Sequence, residues 1–393
     1  MVDKIHIWQF PLTKVSVKLK NETKNLLFET VLEYFQNFSN LTLFLSEKSV
    51  NHEMSTTKNL VQYYYHRAEF IPLWVIYELA KIVNIDLSYI EKSVISYISY
   101  RGKIVVFKPI LPVLVTPEFT AIAIHIMSDG NFYNGRFFYF QKIKKNEQKF
   151  HDQIKNVFGD YKVNQKSGHY PPKIIADVIS RYFNIQDYST FRCRIPPKVY
   201  EQSRLYKIAV LAAHLFDEGN VCGNIRFFSS NRYFLNDIRN VAVSLGYECK
   251  NIISENPKPG SKMKSVSYSF KISAKSVSKF LDDLIKLSKK YPTCNHEYKF
   301  KEIKKIVEIM KRPWIQRGKW ETKRLILDSL KSSPKTAFEL RDIVNVSLWT
   351  VYHHLKDLAR GRKVKKLKTN SNRKVVYSLI TDQCNDNSST SGF

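Results

Sequence analysis

Leu211-Ala212-Ala213-His214-Leu215-Phe216-Asp217-Glu218-Gly219-Asn220 is the stretch on which the fold turns. Its apolar and small residues suit a buried helix, and an acid followed by glycine ends it. An earlier segment, Ile122-Ala123-Ile124-His125-Ile126-Met127-Ser128-Asp129-Gly130-Asn131, has the same plan. Aligned without gaps, Ala123 meets Ala212, His125 meets His214, Asp129 meets Glu218, Gly130 meets Gly219 and Asn131 meets Asn220. The two copies stand 89 residues apart. A buried helix present twice predicts two similar units.

The segments downstream of each helix strengthen the repeat. Residues 131–142 are rich in Phe and Tyr around Asn134-Gly135, a strong hairpin signal. A helix over 148–158, turn and strand material over 159–170 and a helix from Pro172 to Phe183 come next. The second copy continues with a strand over 221–228, a helix over 233–245, strands over 250–253 and 264–272, and a helix over 273–287. The expected class is α+β, with two similar halves facing each other across the repeated helices. Thr116 suits the cap of the first copy, Pro117 its first turn and Glu118 its positive end.

The flanks differ from this core. Residues 1–96 read as a short alternating strand over Val15–Leu19 and then several short helices, a helix-turn-helix-like domain, with a purely packing bundle as the open alternative. Residues 97–115 read as a connector, strand or extended. The halves span 116–205 and 206–311, a basic linker 312–320, and a last domain 321–380 of three helices and a two-stranded ribbon, which describes a winged helix. Residues 381–393 are small and polar and are expected to be disordered.

Composition narrows the partners. The 393 residues hold 63 Lys and Arg against 35 Asp and Glu, a net charge of +28, which favours a polyanion. Between Ala359 and Lys374 there are eight basic residues and no acid. Cys193, Cys222, Cys249, Cys294 and Cys384 form no C-x-x-C pair, so zinc ribbons and thioredoxin-type chemistry are unsupported. The scattered cysteines fit a reducing interior. No run approaches membrane length and the N-terminus is not signal-like, so a cytoplasmic, DNA-associated protein is expected.

Two small-residue helices pack closely, and if their ends lie level, Asp129 and Glu218 come together. Adjacent carboxylates are costly unless a cation sits between them, and Mg²⁺ prefers oxygen ligands. Such a pair suits phosphodiester hydrolysis. The alternative is that each acid only ends a helix.

Both segments resemble the motif of the LAGLIDADG homing endonucleases. The resemblance covers roughly residues 116–311. It implies two αββαββα halves related by a pseudo-twofold, in one monomer, with a saddle of strands in the major groove of double-stranded DNA. It implies metal-binding acids at Asp129 and Glu218, closing glycines at Gly130 and Gly219, and packing residues at Ala123, Ala212 and Ala213. The family also implies a basic residue that assists cleavage, for which Lys299 and Lys142 are candidates. Ile124 stands where the family usually has glycine, and Met127 and Phe216 where it often has a first acid. His125 and His214 read as packing or helix–helix hydrogen-bonding residues. The Met1 start and Ser391-Gly392-Phe393 end read as free-standing rather than intein-borne.

DNA contacts are expected from Asn134, Arg136, Gln141, Lys142, Asn224, Arg226, Lys264 and Lys271 on or beside the strands. In the last domain they are expected from Trp349, Thr350, Tyr352, His353 and Lys356 on the recognition helix. The wing supplies Lys363, Lys365, Lys366, Lys368, Arg373 and Lys374 for phosphate contacts. The expected function is a Mg²⁺-dependent, site-specific DNA endonuclease. The alternatives are a non-cleaving DNA-binding regulator on the same core, or an RNA-splicing helper.

Overall fold

The computed structural model describes residues 2–50, 57–100, 102–133, 136–141, 144–162, 170–189, 191–257, 265–311, 317–368 and 375–380. The chain divides into two compact units, residues 1–307 and 308–393.

The first unit opens with β1 (Lys4–Ile5) and β2 (Val15–Leu19). Val15, Val17 and Leu19 of β2 are buried, as strand alternation predicts. α1 (Asn21–Phe35) ends where Gln36 turns left-handed. α2 (Phe38–Val50) and α3 (Lys58–His66) follow, the latter capped by Thr57 through the Leu60 N–H. Next come β3 (Ile71–Pro72), α4 (Leu73–Ile82) and α5 (Leu87–Lys92), with Asp86 capping α5. β4 (Val94–Ser99), β5 (Val105–Pro109) and β6 (Val113–Leu114) lead into α6 (Pro117–Asp129). The Thr116 hydroxyl accepts the Phe119 N–H at 3.3 Å, and Pro117 occupies the first turn of α6.

After α6 the chain forms β7 (Gly130–Tyr133) and β8 (Arg136–Tyr139), an antiparallel pair, then α7 (Lys144–Phe158), β9 (Gly159–Tyr161) and α8 (Lys173–Phe183). α9 (Pro197–Glu201) precedes α10 (Arg204–Glu218). Beyond it lie β10 (Asn220–Val221), β11 (Ile225–Ser229), α11 (Arg232–Ser244), β12 (Ile253–Glu255), β13 (Ser267–Lys271), α12 (Ala274–Lys290) and α13 (Glu297–Lys311).

The sheets are small and antiparallel, so the class is α+β. β10, β11, β13 and β12 make a four-stranded sheet in that order. β9 pairs elsewhere: it closes a five-stranded sheet of order β3-β2-β4-β5-β9. Besides its helices, the stretch 1–96 carries the strand expected at Val15–Leu19, and the stretch 97–115 takes the strand alternative left open for it. Both stretches supply strands to one sheet, and that sheet also takes β9 from the segment after α7. Short apolar runs such as Val94–Ser99 carry too little periodicity to separate strand from helix. Their partners lie far away in sequence, and pairing decides. Tyr97 is fully buried in this sheet and its hydroxyl donates to the Phe158 carbonyl at 3.3 Å.

α6 and α10 pack on each other more extensively than any other helix pair. Ala123, Ala212 and Ala213 are buried, and so is Ile124, the residue expected to loosen close packing of the helices.

The second unit comprises α14 (Lys319–Ser332), β14 (Lys335–Thr336), α15 (Ala337–Val344), α16 (Leu348–Arg360), β15 (Val364–Lys368) and β16 (Val375–Leu379). Its strands pair in the order β14-β16-β15. Ile326, Leu340, Val351, Leu355 and Leu358 build a separate core. Thr336 and Glu339 form a reciprocal capping box at the start of α15.

Candidate functional site

The site lies where α6 and α10 end. Each helix stops at an acid followed by glycine, and the glycine N–H closes the last turn, Gly130 onto the His125 carbonyl and Gly219 onto the Leu215 carbonyl. A Cβ at Gly130 would fall on the Ile126 carbonyl, and one at Gly219 on Leu215. Both glycines are required by this close approach and not by φ, which is negative at each.

Asp129 and Glu218 are brought within electrostatic reach. Burial pushes the Asp129 carboxyl up to about 7, and the charge of Asp217 adds to it. Burial pushes Glu218 up to about 8, with Asp129 and then Asp217 adding. Met127 and Phe216 are buried, and Phe216 stacks on His296 at 3.8 Å between ring centres.

Two histidines cross the helix interface. His125 Nδ1 lies 2.8 Å from Asp217 Oδ2, and His214 Nδ1 lies 3.0 Å from Ser128 Oγ. These are equivalent contacts, because 125 and 214, and 128 and 217, are each 89 residues apart. Each ring also packs on one aromatic from the following hairpin and one from the following helix. For His125 these are Tyr139 and Phe150, and for His214 they are Phe227 and Phe234. Burial lowers the His214 imidazole to about 3 and holds it neutral. His296 is lowered for the same reason.

Strand register extends the equivalence. Asn131 faces Phe138 and Asn220 faces Arg226, so Tyr139 corresponds to Phe227 and Gln141 to Ser229. Gln141 Nε2 donates to Asp129 Oδ2, and also lies 3.4 Å from Asp217 Oδ1. Ser229 favours the charged form of Glu218, and its hydroxyl accepts the Asn231 N–H at 3.1 Å. Tyr139 donates its hydroxyl to Asp217 Oδ1 at 2.7 Å, a bond for which Phe227 has no counterpart atom. Gln141, expected to contact DNA, aims its amide at the acids.

Lys299, from the first turn of α13, reaches the end of α10. Its Nζ donates to the carbonyls of Leu215, of Phe216 at 2.8 Å and of Gly219 at 2.7 Å. This ammonium satisfies carbonyls that a helix end leaves open. Burial lowers it to about 8, while Asp217 and Asp129 pull the other way. Asp217 and Tyr139 escape the sequence reading. The signal available is the matched spacing of His125 to residue 128 and of His214 to residue 217, one helical turn each. Serine and aspartate are unlike, so a search for identities passes over them.

Outside this centre, Asn220, Arg226 and Lys271 face one another across three adjacent strands. Phe227 and Phe270 point to the buried face, which leaves this row on the other. Asn220, Cys222, Asn224, Arg226 and Phe228 line a cavity of about 230 Å³ there. Arg226 donates to Glu255 at 3.1 Å.

In the second unit Ser347 caps α16 through the Thr350 N–H at 3.1 Å. Val351, His354, Leu355 and Leu358 are buried, so Trp349, Tyr352, His353 and Lys356 share the exposed face. Thr350, beside them, is partly exposed. Trp349 is 75% exposed and stacks on His353, 5.4 Å between centres. Lys363, Lys365 and Lys366 are exposed. Asn134, Lys142, Lys264, Arg373 and Lys374, and the side chains of Arg136 and Lys368, lie outside the described residues. Cys193, Cys222, Cys249 and Cys294 are free thiols. No helix among the described residues is long and apolar enough to cross a membrane.

Comparison with models of known protein families gave no match, and a search of curated proteins found no significant relative.

Proposed function

We propose that this chain is a DNA endonuclease of the LAGLIDADG type, cutting both strands at a specific site and carrying a winged helix as a second DNA contact. The observation that carries this reading is the placement of Asp129 and Glu218 at the ends of two packed, matching helices, where burial and neighbouring acids raise both carboxyls. The acids make a costly pair unless a positive charge joins them. Lys299 acts on Asp129, but its hydrogen bonds go to backbone carbonyls.

The donor set fits Mg²⁺. Among the described residues no three His, Cys, Asp or Glu side chains form a closed metal cage. Two carboxylates are what Mg²⁺ takes from a protein when water and phosphate complete its shell. Asp129 and Glu218 would hold it, and it would supply Lewis-acid stabilisation of the phosphate and a more acidic water.

The protein's own groups do the rest. Gln141 holds Asp129 in place, and Ser229 favours the charged form of Glu218. Lys299 anchors the last turn of α10, which sets the position of Glu218. In the reaction one water adds across the phosphodiester: its oxygen bonds phosphorus, the bridging P–O bond breaks, and a proton ends on the leaving oxygen. The Asn220, Arg226 and Lys271 row, and the exposed face of α16 with Lys363, Lys365 and Lys366, supply the groups that bind base edges and phosphates.

A non-cleaving DNA-binding regulator is the second reading, favoured by the exposed α16 face. One experiment separates them. The protein is incubated with DNA from its own genomic surroundings and Mg²⁺, alongside Asp129→Asn and Glu218→Gln. Cutting by the wild type alone supports the nuclease. Tight binding with no cutting by any version removes it in favour of the regulator.

A further inference from the structure

Resting on the nuclease reading, we infer that Asp217 is a positioning residue that furnishes only one of the two half-sites, so that the strand served by the Asp129 end is cut first. Asp217 belongs to α10, yet its bonds go to the other half: to His125 at 2.8 Å, to Tyr139 at 2.7 Å and to Gln141 at 3.4 Å. Gln141 is also the residue that holds Asp129. The Asp217 side chain is fully buried and that of His125 only 1% exposed, so these bonds are made in a water-poor setting where a carboxylate acceptor holds its donors strongly.

At the other end Lys299 anchors the last turn of α10 through backbone carbonyls, but among the described residues no buried carboxylate crosses from α6 to bind the second half. Ser128, the counterpart of Asp217, has a hydroxyl in place of the carboxylate and bonds His214. Phe227, the counterpart of Tyr139, brings no hydroxyl, and Ser229, the counterpart of Gln141, has a shorter side chain. Lys299 contributes its charge at Asp129 and Asp217. Chemistry runs faster where groups are already held in place, because less ordering remains to be done at the moment of reaction. The geometry therefore makes the Asp129 end the faster of the two.

The test uses the full chain and a supercoiled plasmid carrying its own genomic surroundings, with Mg²⁺. In the wild type the first nick should precede linearisation by about tenfold in rate, the effect of one charge-assisted hydrogen bond, and should map by primer extension to one strand. Asp217→Asn and Gln141→Ala should each slow the first nick by about tenfold and erase the strand preference, with DNA affinity within about twofold of wild type. Ser128→Ala should leave the first nick unchanged. Without DNA or metal, ¹⁵N spectra of the histidine rings supply a readout that does not depend on cutting. Asp217→Asn should shift the Nδ1 signal of His125 and leave that of His214 in place.

Equal rates on the two strands in the wild type would overturn the inference while leaving the nuclease reading intact. So would equal slowing by Asp217→Asn and Ser128→Ala, or an unmoved His125 signal. If no version nicks the plasmid, the nuclease reading falls and this inference falls with it.

Discussion

At the end of α6 a serine reaches across to a histidine, whereas at the end of α10 an aspartate does. Each histidine has an aromatic from its own hairpin and another from its own second helix. The frame is therefore shared, and the polar atoms mounted on it differ. The halves also differ farther out. The second closes a four-stranded sheet of its own, while β9 of the first joins strands from the N-terminal residues. Two helices that must fit each other constrain each other's surfaces. Strands at the periphery are free to find other partners, and polar groups at the helix ends are free to specialise.

Removing His125 strikes most directly at this difference between the ends. His125→Ala leaves Asp217 buried without its ring partner, and should cost about 3 kcal/mol or more by chemical denaturation. A loss under about 1 kcal/mol would mean that the pair at the Asp129 end is no stronger than its counterpart.

Next in size is the pH dependence of the metal-free protein. Asp129 and Glu218 sit at about 7 and about 8, above ordinary carboxylates, so the folded state holds protons that the unfolded state has released. Their contribution is complete below the ordinary carboxylate range and is lost as pH rises through the raised values. His214, lowered to about 3, works oppositely below pH 6.5, and Lys299, lowered to about 8, works oppositely above that value. The acids are therefore read between about pH 6.5 and 8, where the melting temperature should fall. Mg²⁺ should reverse the fall, and the double variant Asp129→Asn, Glu218→Gln should flatten it.

The closing glycines give a finer measure of how alike the two ends are. Gly130→Ala sets its Cβ against the backbone of Ile126 alone, while Gly219→Ala also meets the movable Leu215 side chain. Each should cost about 2 kcal/mol, with Gly130→Ala the larger. The smallest effect is expected at Ser128→Ala, about 1 kcal/mol for one neutral hydrogen bond to a neutral ring. A Ser128→Ala loss equal to that of His125→Ala would erase the distinction between the ends.

Legibility followed the range over which each signal acts. The cap at Thr116, the proline at the start of α6 and the acid-glycine stops are local and can be read directly. So can the buried stripe of α16, because 3.6-residue periodicity separates Val351, Leu355 and Leu358 from Trp349 and Tyr352. The N-terminal sheet is legible only in part. β2 shows in its alternation and strand material is readable near β5 and β9, but β3 and β4 are too short to declare themselves, and which strands pair across residues 15 to 161 is not written locally. Gln141 is visible as a polar residue after a strand, but whether it faces groove or acid depends on where α10 ends.

Residue type and spacing were enough to establish that one apolar helix occurs twice, that each copy stops at an acid and a glycine, and that strongly basic segments surround them. The chain carries these properties before it folds. That the first acid of Asp217-Glu218 turns across the interface to His125, Tyr139 and Gln141 was settled by packing alone. Rotation about the helix axis determines which of two adjacent carboxylates faces the partner helix. A run of letters does not contain that rotation until both helices are in place.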